Sequence, residues 1–297
     1  MNTTHDILCI GSVLWDVIGR TEHSMRIGSD EPGRIKRLPG GVAMNIAMTV
    51  QRFGLRPALL TAIGRDAEGE ELMAECSARG MVTDFVHRAS GLPTDVYMAI
   101  EGPQGLVAAL ADAHSLEAVG EAILSPLEDG TLGSTASPYS GVVALDGNLT
   151  LALLNDLAER TSFSAADLRV APASPGKARR LLPLMSHPGA TLYVNREEAG
   201  YLAQASFDNA LEAAEGLLDA GANRVLVTDG GSFAADGSKT HGVIQTPCPA
   251  VRVRRITGAG DTFMAAHIAA EISGKRPMDA LAHAQETAAR YVSGEDT

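Results

Sequence analysis

The chain has 297 residues, a formal net charge of −12 and 45% hydrophobic residues. This length suits one large α/β domain or two modest ones, and 20% charged residues is an ordinary globular proportion, so we expect a sizeable core. The negative charge argues against nucleic acid and anionic lipid as partners, because both bind through a basic protein face.

The cysteines and the hydropathy pattern indicate where the protein resides. Cys9, Cys76 and Cys248 are far apart, odd in number and without metal-ligand spacing, which fits a reducing cytosol better than a disulfide framework. The eight histidines show no metal spacing either. The chain has no run of 18 apolar residues and no basic-then-apolar leader before its first predicted strand. We therefore expect a soluble, cytoplasmic protein.

The hydrophobic pattern predicts strands that alternate with helices along most of the chain. Strands are predicted at residues 6–10, 58–63, 83–87, 141–145, 168–171, 191–194 and 224–228. Helices lie between them and include residues 42–53, 68–79 and 264–272. Strands alternating with helices of this length imply a mostly parallel sheet covered by helices on both faces, which is a three-layer α/β fold.

Two segments interrupt this alternation. Residues 17–39 are polar and broken by glycine and proline, whereas residues 92–110 alternate around a Gly-Pro-Gln-Gly turn and predict a β-hairpin. We expect one domain over residues 1–297, in which these inserted segments form a small β lid over the mouth of the main sheet.

A glycine-rich turn stands directly before the last predicted helix of this series. Gly258, Ala259 and Gly260 are small enough to let backbone N–H groups converge on an anion, and the helix dipole adds to the attraction. Asp261 would repel a phosphate, but it makes sense as a base that accepts a proton from an attacking hydroxyl. Local sequence alone leaves an ordinary aspartate cap equally open.

A second glycine pair, Gly40-Gly41, begins the helix predicted at residues 42–53. Paired glycines let a ligand approach the backbone, and Asn45 lies about one turn into the helix, where it could meet a sugar hydroxyl. Asp16 follows the first strand and could accept hydrogen bonds from two vicinal hydroxyls. The alternatives are a plain loop-to-helix turn, a solvated asparagine and a turn aspartate.

Polar residues follow two later predicted strands, where open α/β sheets bind ligands. They are Asn195 and Glu198 after residues 191–194, and Thr228, Gly230 and Gly231 after residues 224–228. A carboxylate at such a position can act on Mg²⁺, usually through water.

In this order, residues 40–45, 195–198, 228–231 and 257–261 resemble the motifs of the ribokinase-like (PfkB) family of carbohydrate and nucleoside kinases. The resemblance covers nearly the whole chain. It implies the ribokinase-like fold, ATP and Mg²⁺ as cofactors, and a small sugar or nucleoside as the acceptor. It also implies a lid that in this family often makes a dimer contact, so a homodimer is a further expectation.

The resemblance assigns a role to each candidate residue. Asp261 would be the catalytic base, and Gly258, Ala259 and Gly260 the anion hole. The remaining roles are sugar binding by Asp16, Gly40, Gly41 and Asn45, organisation of Mg²⁺ and the ATP phosphates by Asn195 and Glu198, and contact with the nucleotide by Thr228, Gly230 and Gly231.

Short segments at residues 32–36, 93–94, 106–108 and 171–177 resemble the pseudouridine kinase branch of this family. They imply transfer of phosphate from ATP to the 5′-hydroxyl of pseudouridine. The alternatives are a kinase for ribose, adenosine or uridine, and a non-catalytic binder of a sugar or nucleoside. A dinucleotide fold ranks last, because residues 11–16 lack the required G-x-G-x-x-G.

Three positions depart from the family pattern. Arg255 stands where an acidic residue often helps to hold a monovalent cation, and we interpret its guanidinium as a replacement for that cation. Phe233 stands where a further glycine is usual in the nucleotide loop. Ala171 stands where the pseudouridine kinase branch commonly has an acidic residue, which leaves more of the Mg²⁺ contact to Glu198.

Overall fold

A computed structural model describes residues 4–295 as an α/β protein. Within these residues the strands are β1 (Ile7–Ile10), β2 (Leu14–Arg20), β3 (Arg34–Gly40), β4 (Pro57–Leu60), β5 (Ala62–Gly64), β6 (His87–Ala89), β7 (Val96–Gly102), β8 (Gly105–Asp112), β9 (Val142–Asp146), β10 (Asp167–Ala171), β11 (Ala190–Asn195), β12 (Arg224–Thr228), β13 (Phe233–Ser238) and β14 (Gly242–Pro247). The α-helices are α1 (Val42–Arg52), α2 (Ala67–Ala78), α3 (His114–Val119), α4 (Leu151–Glu159), α5 (Leu182–Met185), α6 (Arg196–Ala203), α7 (Ala210–Asp219), α8 (Ala259–Ile272) and α9 (Pro277–Ser293). Over the described range, none of the helices has both the length and the apolar character needed to cross a membrane.

The main sheet has eight strands in the order β14-β13-β12-β11-β10-β9-β1-β4. The strands from β4 to β12 in this order are parallel, which confirms the predicted fold class. β13 and β14 add an antiparallel edge that the sequence pattern did not predict. The reason is composition, because β13 contains alanine, glycine and aspartate, which are depleted in strands.

Both faces of the main sheet are buried, which produces the three layers. On β1, Ile7 and Cys9 pack in the same cluster as α1 and α8, while Leu8 and Ile10 pack with α4 on the opposite face. All four residues are fully buried. This two-sided burial explains why the parallel strands appear in the sequence as continuous apolar runs.

A four-stranded sheet in the order β3-β2-β7-β8 contains the two segments that interrupt the α/β alternation. β2 pairs antiparallel with β3 and parallel with β7, and β7 and β8 form the predicted hairpin. All of β8 is exposed. That this sheet acts as a lid stays a prediction, and we call it the accessory sheet below.

The prediction at residues 58–63 and 83–87 was wrong in one respect. The first run divides into β4, which joins the main sheet, and β5, which pairs with β6 in a separate two-stranded sheet. The expected strand at residues 83–87 adds nothing to the main sheet, and Val82 makes only an isolated bridge to Ala58. Apolar periodicity indicates an extended segment but does not indicate which strand it pairs with.

Helix α8, which begins at the late glycine motif, is buried along most of its length and packs against α1 and α9. Its last turn is held by ion pairs. Glu271 bonds to Arg169 and, at 2.7 Å, to Arg224, and Arg224 also pairs with the buried Asp236 of β13 at 2.7 Å. Because these arginines belong to β10 and β12, the cluster fixes the helix on the sheet and thereby the position of its N-terminus.

Candidate active site

A cleft of about 900 Å³ opens at the carboxyl ends of the main strands, beneath the accessory sheet. The separated sequence motifs meet here. All predicted site residues line the cleft except Gly40 and Gly231. Such a position is where open α/β sheets bind ligands.

Asp261 and Asn45 face each other across the cleft floor, although 216 residues separate them in the sequence. The Asn45 side-chain amide donates a hydrogen bond of 2.8 Å to the Asp261 carboxylate. Burial raises the pKa of Asp261 to about 7, an effect that the Asn45 bond opposes and the nearby carboxylates of Asp146, Asp16 and Glu198 reinforce. A carboxyl group that titrates near 7 is suited to accept a proton at neutral pH.

Gly258 caps helix α8 in the left-handed conformation, with φ of 85°. A Cβ atom here would lie 2.6 Å from the Tyr291 hydroxyl oxygen. The Tyr291 hydroxyl donates a hydrogen bond of 2.8 Å to the Thr257 carbonyl. The Ala259 N–H donates to the Ile256 carbonyl at 3.0 Å, whereas the N–H groups of Gly260 and Asp261 have no carbonyl one turn earlier in the helix and can converge on an anion beside Asp261. The tyrosine, which the sequence did not indicate, therefore supports the predicted anion-binding turn from helix α9.

Arg255 also contacts Tyr291. Its guanidinium carbon lies 3.7 Å from the centre of the tyrosine ring, and its Nε–H donates a hydrogen bond of 2.7 Å to the Tyr291 carbonyl. That carbonyl is in the last turn of α9, where a cation is favoured by the helix dipole. A positive charge thus lies on Tyr291, the side chain that contacts the predicted anion-binding turn.

Asp16 enters the cleft from the accessory sheet, where it stands opposite Leu38 and Tyr97 on the neighbouring strands. Burial raises the pKa of Asp16 to about 6. A Cβ atom on Gly40 would lie 2.1 Å from the Asp16 carboxyl carbon. Gly40 does not line the cleft, but its missing side chain provides the room that Asp16 occupies.

Gly41 begins helix α1 with φ of 92°, and a Cβ atom there would lie 2.4 Å from the Ser12 carbonyl oxygen. Only glycine fits both restrictions easily. The Ser12 hydroxyl oxygen accepts a hydrogen bond of 3.0 Å from the Val42 N–H and so caps the helix that carries Asn45.

Asp146 anchors a hydrogen-bond network that the sequence pattern did not indicate. It is fully buried and accepts from the Ser12 N–H at 2.8 Å and the Ser12 hydroxyl at 2.5 Å. The same carboxylate also accepts hydrogen bonds from the Asn148 backbone N–H at 2.7 Å and from the Asn148 side-chain amide at 3.1 Å. The available signal was its place directly after the strand predicted at residues 141–145.

Asn195 and Glu198 form a reciprocal cap at the start of helix α6. The Asn195 side-chain oxygen accepts a hydrogen bond of 2.9 Å from the Glu198 N–H. The Glu198 carboxylate accepts a hydrogen bond of 2.8 Å from the Asn195 N–H. This capping box explains the spacing of the pair in purely structural terms. Glu198 is only 7% exposed, and burial raises its pKa to about 7.

The donor set at Glu198 fits Mg²⁺ held jointly by protein and nucleotide. Over residues 4–295, no group of three or more His, Cys, Asp or Glu side chains could hold a metal ion alone. Mg²⁺ in phosphotransferases typically takes one or two carboxylates and completes its shell with water and phosphate oxygens. A single desolvated carboxylate on the cleft wall meets that requirement.

The side of the cleft that the sequence predicts to hold the nucleotide follows strand β12. Thr228 and Gly230 line it, and Gly230 has φ of 56°. Asp229 between them accepts 2.8 Å from the Arg196 guanidinium, which ties this loop to helix α6. Gly231 lies outside the lining, and Phe233 is 46% exposed outside the cleft, so their effects on nucleotide binding stay predictions.

The architecture is that of the ribokinases. The chain superposes on ribokinase from Giardia lamblia with a TM-score of 0.79 at 18% identity, covering 98% of this chain and 93% of that one. Arabidopsis thaliana ribokinase, solved with ribose and ATP, gives 0.76 at 20% identity with the same coverage. Likeness at this identity establishes the fold.

The sequence comparison establishes the family. Residues 4–297 match the pfkB family of carbohydrate kinases, and the chain belongs to that family. It is therefore an ATP-dependent phosphotransferase with an alcohol group as acceptor. Among curated proteins, it is similar to pseudouridine kinase of Escherichia coli (strain K12), with 26% identity over 300 residues, 98% of this chain and 91% of the relative.

Proposed function

We propose that this enzyme transfers the γ-phosphoryl group of ATP to the 5′-hydroxyl of pseudouridine, with Asp261 as the general base. The observation that carries the mechanism is the Asp261 carboxylate, bonded to Asn45 at 2.8 Å beside the N-terminus of α8. The similarity to a pseudouridine kinase over 98% of the chain supports the acceptor.

The acceptor hydroxyl oxygen forms a bond to the γ-phosphorus, its proton passes to the Asp261 carboxylate, and the bond from the γ-phosphorus to the bridging oxygen breaks to release ADP. The N–H groups of the turn formed by Gly258, Ala259 and Gly260 that are not already bonded within the protein stabilise the negative charge on the transferring group. Because the protein gives little covalent help in such a reaction, positioning and charge stabilisation supply most of the rate.

Nucleotide and metal occupy the side of the cleft formed by β11 and β12. We place the ATP phosphates near Asn195, with Thr228, Gly230 and Gly231 bordering the nucleotide. Glu198 would hold Mg²⁺ through one carboxylate oxygen, directly or through water. The ion, when bound, neutralises charge on the phosphate oxygens.

The acceptor occupies the opposite side, beneath the accessory sheet. Asp16 would accept hydrogen bonds from two sugar hydroxyls, and Asn45 would contact the sugar while it holds the base. Gly41 lets the ligand approach the backbone. We further propose that the accessory sheet closes over the acceptor as a lid of a single domain.

The outer face of the accessory sheet is apolar and exposed. Ile35, Met98 and Leu110 are 78%, 49% and 71% exposed. Met98 and Leu110 stand opposite each other in the hairpin. We propose that two copies of the chain form a homodimer that buries this face. We also propose that the enzyme is cytoplasmic and that its other partners are small molecules.

A panel of acceptors tests the proposed substrate. We expect ATP consumption to be fastest, by kcat/KM, with pseudouridine, and slower with uridine, ribose and adenosine. Uridine is the matched comparison, since it differs from pseudouridine by the glycosidic bond and the free N1–H. Faster turnover of ribose, adenosine or uridine would replace the proposed acceptor, and ligand binding without turnover would favour the regulatory alternative.

Arg255 leads to a prediction about monovalent ions. Because its guanidinium already places a positive charge behind the anion-binding turn, activity measured with and without K⁺ is expected to agree within about tenfold. Arg255→Ala should lose activity, whereas Arg254→Ala, in an exposed neighbour, should retain it. A wild-type K⁺ dependence greater than tenfold would show that the guanidinium does not replace the ion.

A further inference from the structure

Lys177 lies at the junction of the two proposed halves of the cleft. It belongs to a 3₁₀ helix, Pro175–Leu181, that follows strand β10, and it lines the cleft. In the sheet, β10 lies between β9, which leads to the Asp146 network, and β11, which leads to Asn195. Lys177 therefore follows a strand that lies between the strands leading to the proposed acceptor side and the proposed nucleotide side of the cleft.

The Lys177 ammonium is held in place by Asn148. The two atoms, Nζ and the Asn148 side-chain oxygen, lie 2.5 Å apart. The Asn148 side-chain N–H groups are directed to the Ser12 hydroxyl, at 2.9 Å, and to Asp146. Because both amide donors are used in this way, the amide oxygen must face the lysine. The same network caps helix α1 through Ser12, so it connects Lys177 to the helix that carries Asn45.

Positive charge is scarce in this cleft. Among the cleft-lining residues in the described part of the chain, Lys177 and Arg196 are the lysine and arginine side chains. Arg196 is already engaged, since its guanidinium donates to Asp229 at 2.8 Å and to the Phe207 carbonyl at 2.7 Å. Burial lowers the pKa of Lys177 and Arg180 acts in the same direction, against smaller opposing effects of Asp146 and Glu117, so a further anionic partner would stabilise the ammonium.

We propose that Lys177 contacts the transferring phosphoryl group and that Asn148 is its positioning residue. An ammonium has three donors; one is directed to Asn148 and two remain for non-bridging phosphoryl oxygens. The contact would strengthen as negative charge gathers on that group in the transition state. The inference rests on the proposed reaction only in using ATP as the phosphoryl donor, and it does not depend on which acceptor is used.

Binding of two nucleotides provides the test. Calorimetry with Mg²⁺ would compare the β,γ-imido analogue of ATP with ADP, which lacks the γ-phosphoryl group. We expect Lys177→Met to weaken binding of the ATP analogue at least about tenfold and to change binding of ADP less than about twofold. Lys177→Arg, which retains the charge, should bind both ligands within about threefold of the wild type. Arg179→Met removes a charge from the exposed side of the same 3₁₀ helix and should change neither affinity.

Equal weakening of both nucleotides in Lys177→Met, or no weakening, would overturn the proposal. With the best acceptor, Lys177→Met should lower kcat roughly 10²-fold, the usual effect of removing one such donor. Asn148→Ala should lower kcat less than Lys177→Met does, because the ammonium remains but is no longer oriented. Because the nucleotide affinities are measured without an acceptor, they test the role of Lys177 whether or not pseudouridine is the acceptor. The two proposals can therefore fail separately.

Discussion

Replacing Asp261 by asparagine is expected to lower kcat by at least roughly 10²-fold, the usual size of a general-base contribution. The substitution preserves shape, and an asparagine oxygen can still accept the 2.8 Å hydrogen bond from Asn45. What is lost is the ability to take the hydroxyl proton. Steady-state kinetics with the best acceptor would measure the effect, and turnover equal to the wild type would exclude Asp261 as the base.

The wild-type protein and Asp261→Asn should also differ in how activity and stability depend on pH. Burial raises the pKa of Asp261 to about 7, so wild-type kcat/KM should rise with pH through that value as the base ionises. Stability should change in the opposite direction. The stabilisation that comes with a raised pKa is complete below the ordinary value of 3.8 and is lost as pH rises through about 7. Asp261→Asn should therefore gain in Tm over the wild type on going from pH 5 to pH 8.

An exposed aspartate provides the control for these measurements. Asp219, the last residue of helix α7, is exposed and lies outside the cleft. Asp219→Asn should leave kcat unchanged and should shift Tm equally at both pH values. A Tm difference for Asp261→Asn that did not grow with pH would contradict the origin that we assign to its raised pKa.

Gly40→Ala is expected to raise the KM for the acceptor about 10- to 100-fold. The new Cβ atom would lie 2.1 Å from the Asp16 carboxyl carbon, so the carboxylate must leave the position from which it can bind the sugar. Hydrogen bonds to a charged group contribute about 1.5–3 kcal/mol, which corresponds to that range of KM. Affinity for ADP should be unchanged, because the proposed nucleotide side of the cleft is built on β11 and β12.

Gly19→Ala is the matched control in the same accessory sheet. A Cβ atom at Gly19 would meet its neighbours at 3.8 Å or more, which is ordinary contact, so kinetics close to the wild type are expected. Thermal melting of both variants separates an effect on Asp16 from general unfolding. If Gly40→Ala retained the wild-type acceptor KM with an intact fold, Asp16 would not bind the sugar as we propose.

Local chemistry in the sequence was sufficient for much of the architecture. Apolar runs, helical periodicity and glycine turns depend on neighbouring residues, and they predicted the parallel sheet, helices α1 and α2, and the β7–β8 hairpin. The spacing of Asn195 and Glu198 is likewise local, because a capping box needs only residues three apart. The order of the glycine and polar motifs was enough to indicate the kinase family.

Other features depend on contacts between distant parts of the chain, which periodicity does not encode. The sequence did not show that β5 would leave the main sheet to pair with β6, or that a tyrosine 34 residues beyond Thr257 would support its turn. Nor did it reveal the network that joins Asp146 to Lys177. The properties of Asp261 depend on both the local sequence and these distant contacts. Its motif suggested a base or a cap, and only the packing of α1 against α8 brought Asn45 within 2.8 Å and enclosed the carboxylate enough to raise its pKa.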